Sequence, residues 1–246
     1  MPSIETNALV LRRADYKDYD RMVTLFTPEH GRIDAIARGC RRPKSHLNNC
    51  TEPFTTGVFT LYLNRERASI DQCVIRESFY DLRYDYDRLT HGVYWLRLLE
   101  SAVMPEAPMP DMFLIALRAL AHLTYSTLTP ELLTMAFEMH LMARLGYAPR
   151  MDTCLLCGRR VDGDARFDAD LGGTVCLHCL SDAPFVSNGA RRIMMKLPRT
   201  DYDKVDLVEG HPNWREAAKL FRPYVTGRLR VEKNVPPLAV ERGETS

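Results

Sequence analysis

The chain has 246 residues, 33 lysines and arginines against 32 aspartates and glutamates, and 46% apolar residues; it can bury a sizeable core and is too apolar for wholesale disorder. The net charge of +1 excludes a globally basic, histone-like protein but leaves room for a local cationic patch. The longest strictly apolar run, Met112–Leu117, falls far short of the roughly 20 residues of a membrane helix, and the start MPSIETNALVLRR lacks the basic, apolar pattern of a secretion signal, so a soluble cytoplasmic protein is expected.

Residues 1–80 show strand-like patterning. Ala8–Leu11 is a short apolar strand, and Met22–Thr27 alternates loosely. The run Pro28-Glu-His-Gly31 signals a hairpin turn, and Ile33–Ala37 returns from it. Gly57–Leu63 and Ala68–Ile75 follow, separated by the polar turn Asn64–Arg67. Five short strands with no long helix predict a small barrel of the OB type, although periodicity alone also admits an SH3-like barrel.

Between Asp34 and Glu52 there is no acidic residue. That window carries Arg38, Arg41, Arg42, Lys44 and His46, with Gly39 and Pro43 to shape a loop between two strands. Arginine forks suit phosphate oxygens, so a polyanion is the natural partner; a solvated charged loop is the alternative. Arg12, Arg13, Arg21, Arg65 and Arg67 could extend the track. Phe26, Phe59 or Tyr62 could stack on bases if exposed, although a barrel also needs aromatic filling.

From about residue 80 the period becomes helical. Thr90 is a candidate cap for a helix carrying Val93, Leu96, Leu99 and Val103, stopped at Pro105. After the loop PEAPMP, a second helix spans Met112–Leu123. Thr129-Pro130-Glu131 predicts an N-cap, a proline at the first helical position and an acid in the first turn. That third helix is apolar nearly all round, ends at Gly146, and should be central to a bundle. Residues 186–231 look helical again, with Trp214, Leu220, Phe221 and Tyr224 as packing residues. The tail from Val235 is expected to be mobile.

Four of the seven cysteines form the spacing C-x2-C-x18-C-x2-C: Cys154, Cys157, Cys176 and Cys179. Each pair aims two thiolates at one point, and two facing pairs complete a closed tetrahedral zinc site with no open position for a catalytic water. Gly158 and Gly172-Gly173 permit the tight turns. A segment as short as residues 150–182 is expected to draw its folding energy from the metal. Arg150, Arg159 and Arg160 could offset the negative charge of four thiolates, and His178 is read as a surface residue, with replacement of one cysteine ligand as the alternative. Cys40, Cys50 and Cys73 are read as ordinary thiols. Redox pairing of the CxxC motifs is the alternative.

The chain holds no GxxxxGK[ST], GxGxxG, HExxH or GxSxG sequence. Asp81, Asp85 and Asp87 are the only candidates for a two-metal hydrolase, and their place at a helix entry fits a dipole role instead. The residues so far leave a nucleic-acid-binding protein and a zinc-ribbon adaptor that binds only protein nearly level, with a metal-dependent nuclease behind them.

The stretch ALVLRRADYKDYDRMVTLFTPEHGRIDAIARGCRRPKS (8–45) resembles the RecO family of bacterial recombination and repair mediators. The runs AFEMHLMARLGYAPRMDTCLLCG (136–158) and GGTVCLHC (172–179) resemble the same family's helix and cysteine module. The resemblance implies an α+β multidomain protein with an N-terminal OB-fold, a central α-helical domain and an inserted structural zinc module; set on the patterning above, the expected bounds are an OB-fold DNA-binding domain over 1–80, an α-helical domain over 81–149 and 183–235, a zinc module over 150–182, and a mobile tail over 236–246. It implies binding of single- and double-stranded DNA, strand annealing, partnership with RecR, and work on strands coated by single-strand binding protein so that RecA can load. It implies no catalysis and a place at the bacterial nucleoid. The family's basic loop carries over onto Arg38, Arg41, Arg42 and Lys44.

Overall fold

A computed structural model describes residues 3–63 and 68–231, which fall into two compact units, Met1–Leu117 and Arg118–Ser246. The strands expected from the sequence are present and longer in the first unit: β1 (Ser3–Tyr16), β2 (Asp20–Thr27), β3 (Gly31–Ala37), β4 (Thr56–Leu63) and β5 (Ala68–Glu77). They close into a barrel in the order β1-β2-β3-β5-β4. Closure depends on one short parallel contact, Ala35 with Ala68 and Ile36 with Ser69, while the other neighbours are antiparallel. This is an OB-like Greek-key barrel, and the parallel β3–β5 pair distinguishes it from the SH3-like alternative.

β1 is much longer than the apolar run that marks it in the sequence. Its first half pairs with β4 and its second with β2, and a register shift between Val10 and Arg12 bends the strand from one partner to the other. Alternate residues point inwards, so Ala8, Val10, Val23, Leu25, Ala35, Ala37, Phe59 and Leu61 fill the barrel. The β2–β3 turn needs a glycine. Gly31 has φ +64°, and a Cβ there would lie 2.2 Å from the Met104 carbonyl oxygen. The close approach lets Arg32 N–H donate to Met104 O and Glu106 N–H to His30 O, which ties the proline-rich loop to the turn.

α1 (Tyr86–Ala102) starts one turn before the expected cap. Asp85, not Thr90, is the N-cap: it has extended backbone and accepts from Arg88 N–H at 3.1 Å. Thr90 lies inside the helix, its hydroxyl donating to Tyr86 O. α2 (Pro110–Tyr125) begins in the first unit and carries the chain into the second.

In the second unit, α3 (Pro130–Arg144) buries every residue from Glu131 to Met142, as its apolar circumference predicts. Thr129 occupies the N-cap position, but its hydroxyl makes no capping bond. α4 (Asn188–Lys196), the short α5 (Asp206–Glu209) and α6 (Trp214–Leu229) complete the helical part. Glu138 on α3 and Arg222 on α6 form an ion pair at 2.6 Å with both side chains buried. Such a pair is costly to break, because either partner left alone is a buried charge.

His140 on α3 is 2% exposed, and neither ring nitrogen has a hydrogen-bond partner among the described residues. Burial, helped by the nearby Arg144 charge, holds its pKa down to about 4 against an ordinary 6.5. The unfolded chain therefore binds a proton that the folded one refuses. The stability tied to this residue is complete above about pH 6.5 and is lost as pH falls towards 4. Between pH 7 and 5 the loss amounts to about 2 kcal/mol. Urea titrations at the two pH values should show His140→Leu losing less stability than the parent by about that amount; equal losses would remove the residue from this role.

Candidate nucleic-acid interface and metal centre

The cationic segment is not a slack loop. From Gly39 to Thr55 the backbone runs through successive tight turns: Arg42 N–H donates to Gly39 O, Ser45 to Arg42, Asn48 to Ser45, Thr51 to Asn48, and Thr55 to Glu52. Cys40, Leu47 and Cys50 point into the barrel core and pin it. What remains outside is cationic: Arg38, Arg41, Arg42, Lys44 and His46 are all exposed. Cys50 packs against β5, its thiol donating to Cys73 O at 3.7 Å. A hydrogen bond between the two thiols lowers the Cys50 pKa and raises that of Cys73.

The arginines expected on the track have different fates. Arg21 is turned inwards, with an 11% exposed side chain. Its guanidinium donates to Thr51 Oγ1 at 2.7 Å and to Glu52 Oε1 and Asn48 Oδ1 at 3.2 Å each, and it pairs with Asp15 at 3.4 Å. Arg21 therefore clasps the segment to the barrel through Nε and Nη1, and its largely buried side chain sets it apart from the exposed cations it was expected to join on the track. Arg13 joins the same clasp through Glu52 at 3.2 Å. Arg12 is exposed but paired with Glu100 at 2.8 Å. Arg65 and Arg67 lie outside the described residues. Arg41 is held loosely by Asp15 at 3.4 Å and Lys17 O at 3.5 Å. Of the expected aromatics, Phe26 and Phe59 are core, and Tyr62 is exposed.

The β1–β2 turn is the neighbour that sequence reading missed. Arg41 N–H donates to Tyr19 O, and Gly39 N–H donates to the Asp20 carboxylate at 2.8 Å. The Arg42 guanidinium lies 5.4 Å from the centre of the Tyr19 ring. The signal was present in the string DYKDYD, which is a poor core sequence between two strands.

The four cysteines meet as their spacing predicts. Their sulfurs all lie within 4.8 Å of one another, and the group could hold a metal ion. Cys154–Cys179, Cys157–Cys176 and Cys176–Cys179 are 3.9, 3.7 and 3.6 Å apart. A tetrahedral shell with metal–sulfur bonds of about 2.3 Å separates neighbouring sulfurs by about 3.8 Å, so the donor set fits such an ion. Each pair sits on a knuckle: Gly158 N–H donates to Cys154 O, and Cys179 N–H to Cys176 O. Gly158 has φ +71°, and Gly173 has no room for a Cβ, which would meet Arg150 O at 2.5 Å.

Burial raises the Cys154 pKa, but backbone N–H donors from Cys176, Cys157 and Leu156 outweigh it and hold the thiol at about 6. Hydrogen bonds with the Cys176 and Cys157 sulfurs push Cys179 up to about 12. Arg159 serves the cluster as expected, through Cys157. Arg160 does not; it pairs with Asp162 at 2.9 Å. His178 is exposed and outside the cluster.

The module is not held by the cysteines alone. β6 (Ala165–Asp168), β7 (Gly173–Val175) and β8 (Phe185–Val186) form a small sheet that buries Ala165, Phe167 and Val175. Buried Arg191 of α4 donates to Met151 O at 2.6 Å and Gly163 O at 3.1 Å. Phe167 meets Tyr224 of α6 edge-on at 6.1 Å. The expectation that metal supplies the folding energy is thus too strong, because packing on the helices contributes as well.

Residues 1–79 match the family model described as recombination protein O N terminal, and residues 83–234 the one described as recombination protein O C terminal. The chain belongs to the RecO family. It is 29% identical over 242 residues to the DNA repair protein RecO of Acetivibrio thermocellus, covering 97% of this chain and 96% of that protein. It is 32% identical over 220 residues to the DNA repair protein RecO of Desulfitobacterium hafniense, covering 87% and 78%. With that of Pelotomaculum thermopropionicum it shares 31% over 233 residues, 93% and 90% of the two chains. Among the described residues of this RecO family member, no helix is long and apolar enough to cross a membrane.

Elemental analysis of the purified protein should find one metal ion per chain, and none after Cys154→Ser with Cys176→Ser. Because Phe167 and Arg191 also hold the module, the variant should keep its helical circular dichroism while residues 150–182 become protease-sensitive. Full metal content in the double variant would contradict the assignment.

Proposed function

We propose that this RecO family member is a non-enzymatic mediator of DNA repair and recombination. It binds single- and double-stranded DNA through the phosphate backbone, anneals complementary strands, and acts with RecR on strands coated by single-strand binding protein so that RecA can load. Residues 1–80 carry the DNA, residues 81–149 and 183–235 form the helical domain, and residues 150–182 hold one structural zinc. The setting is the bacterial cytoplasm.

The observation that carries the reading is the outward row of Arg38, Arg41, Arg42 and Lys44 on a segment whose other face is sunk in the barrel core. Phosphate contacts fix a strand without reading its sequence, which suits a protein that must accept any strand. Backbone contacts also leave base edges free to find a complement. A zinc fits the four-thiolate set, and closed four-sulfur sites are structural. The absence of catalysis in the proposal is supported by Asp85, which is occupied as the α1 cap and pairs with Arg88 at 3.5 Å.

Single-strand affinity should fall with salt, each neutralised phosphate contributing about 0.7 to the log–log slope. The triple change Arg38→Ala, Arg42→Ala, Lys44→Ala should flatten that slope by about 2 and slow the annealing of complementary oligonucleotides. Arg12→Ala, which removes a cation already paired with Glu100, should change it far less. An unchanged slope and annealing rate in the triple variant would overturn the assignment and favour an adaptor that binds only protein.

A further inference from the structure

We propose that Tyr19, backed by Arg42, is a base-stacking site that makes the cationic face prefer single-stranded DNA over duplex. The inference rests on the DNA-binding reading and adds to it a residue and a ligand: an unstacked nucleobase.

The aromatic groups of the first unit differ sharply in setting. Phe26 and Phe59 are fully buried. Tyr62 is exposed but pairs with Ser3, at the opposite end of β1 from the β1–β2 turn. Tyr80, Tyr84 and Tyr86 are exposed, but the exposed carboxylates of Asp81, Asp85 and Asp87 alternate with them and would repel a phosphate chain. Tyr19 is 50% exposed and lies between Asp18 and Asp20, but here the neighbouring acids are met by the cationic segment: Asp20 accepts from Gly39 N–H, and Asp15 pairs with Arg41. Arg42 lies over its ring, Arg38 and Lys44 are exposed on the facing segment, and Lys17 is exposed two residues away.

Tyr19 is also held in place. Its carbonyl accepts from Arg41 N–H at 3.0 Å, and the next residue, Asp20, accepts from Gly39 N–H at 2.8 Å. The turn and the cationic segment are thus tied together at two points, and the Arg42 guanidinium lies against the ring itself. A guanidinium beside the ring strengthens the platform, because both planes can take a base face and the cation is attracted to the ring and to phosphate alike. A base in duplex already stacks on its neighbours and cannot offer a face to Tyr19. A base in a single strand can. Once two strands pair, this contact is lost while the phosphate contacts persist, so the site favours release of the finished duplex.

Three DNAs of equal length separate the possibilities: an oligothymidine, an abasic strand that keeps the phosphates, and a duplex. Tyr19→Ala should weaken binding of oligothymidine by at least about fivefold, and Tyr19→Phe should not, since stacking uses the ring and not the hydroxyl. Binding of the abasic strand and of the duplex should be unchanged by Tyr19→Ala. An equal loss on the abasic strand, or no loss on oligothymidine, would overturn the stacking site while leaving phosphate binding intact. If the parent protein itself binds none of the three in a salt-dependent way, the underlying DNA-binding reading fails, and this inference with it.

Discussion

A guanidinium taken out of water must be paired, and the way Arg21 is paired shapes the cationic face. Its acceptors come from two places in the chain: Asp15 near the end of β1, and Asn48, Thr51 and Glu52 at the far end of the cationic segment. One side chain therefore fastens a long excursion between β3 and β4 to the barrel wall. Cys40, Leu47 and Cys50 do the apolar half of the same work from inside. With the inward face fixed, the remaining cations have one direction left, and it is outward. Rigidity matters here because a slack loop would lose conformational freedom on binding and give back part of its electrostatic gain.

Much of this was legible in the sequence. Period-two patterning placed the five strands, because barrel strands bury one face and the alternation of side chains records it. The cysteine spacing placed the four-sulfur cluster, because two knuckles have few ways to aim four sulfurs at one point. The fates of single arginines were not legible. Arg21 and Arg38 look alike in a string of letters; what separates them is whether Glu52 and Thr51 fold back onto them, and that is a long-range fact. Thr90 misled for a related reason. Threonine is a good cap, but Asp85 is nearer the turn that ends at Tyr84 and its carboxylate is better suited to the helix N-terminus. Tyr19 was overlooked because a tyrosine in a polar turn carries no periodic signal, and its meaning comes from the Arg42 ring contact across the turn.

The cysteine module shows the limit of reading a segment by itself. Taken alone, residues 150–182 have too little core to fold without a metal. In place, Phe167 and Arg191 join it to α6 and α4, so the cluster stiffens a region already supported by packing. An ion held by the four cysteines would order the knuckles without being the sole source of their stability.

The central claim is that Arg38 and Arg42 face the nucleic acid while Arg21 is spent inside. Chemical modification of arginines by a dicarbonyl reagent, read by peptide mass spectrometry with and without a single-stranded oligonucleotide, tests it directly. The account predicts that Arg38 and Arg42 react in the free protein and are protected by DNA, and that Arg21 reacts in neither state. Equal reactivity of Arg38 and Arg42 with and without DNA, or a freely reactive Arg21, would contradict it.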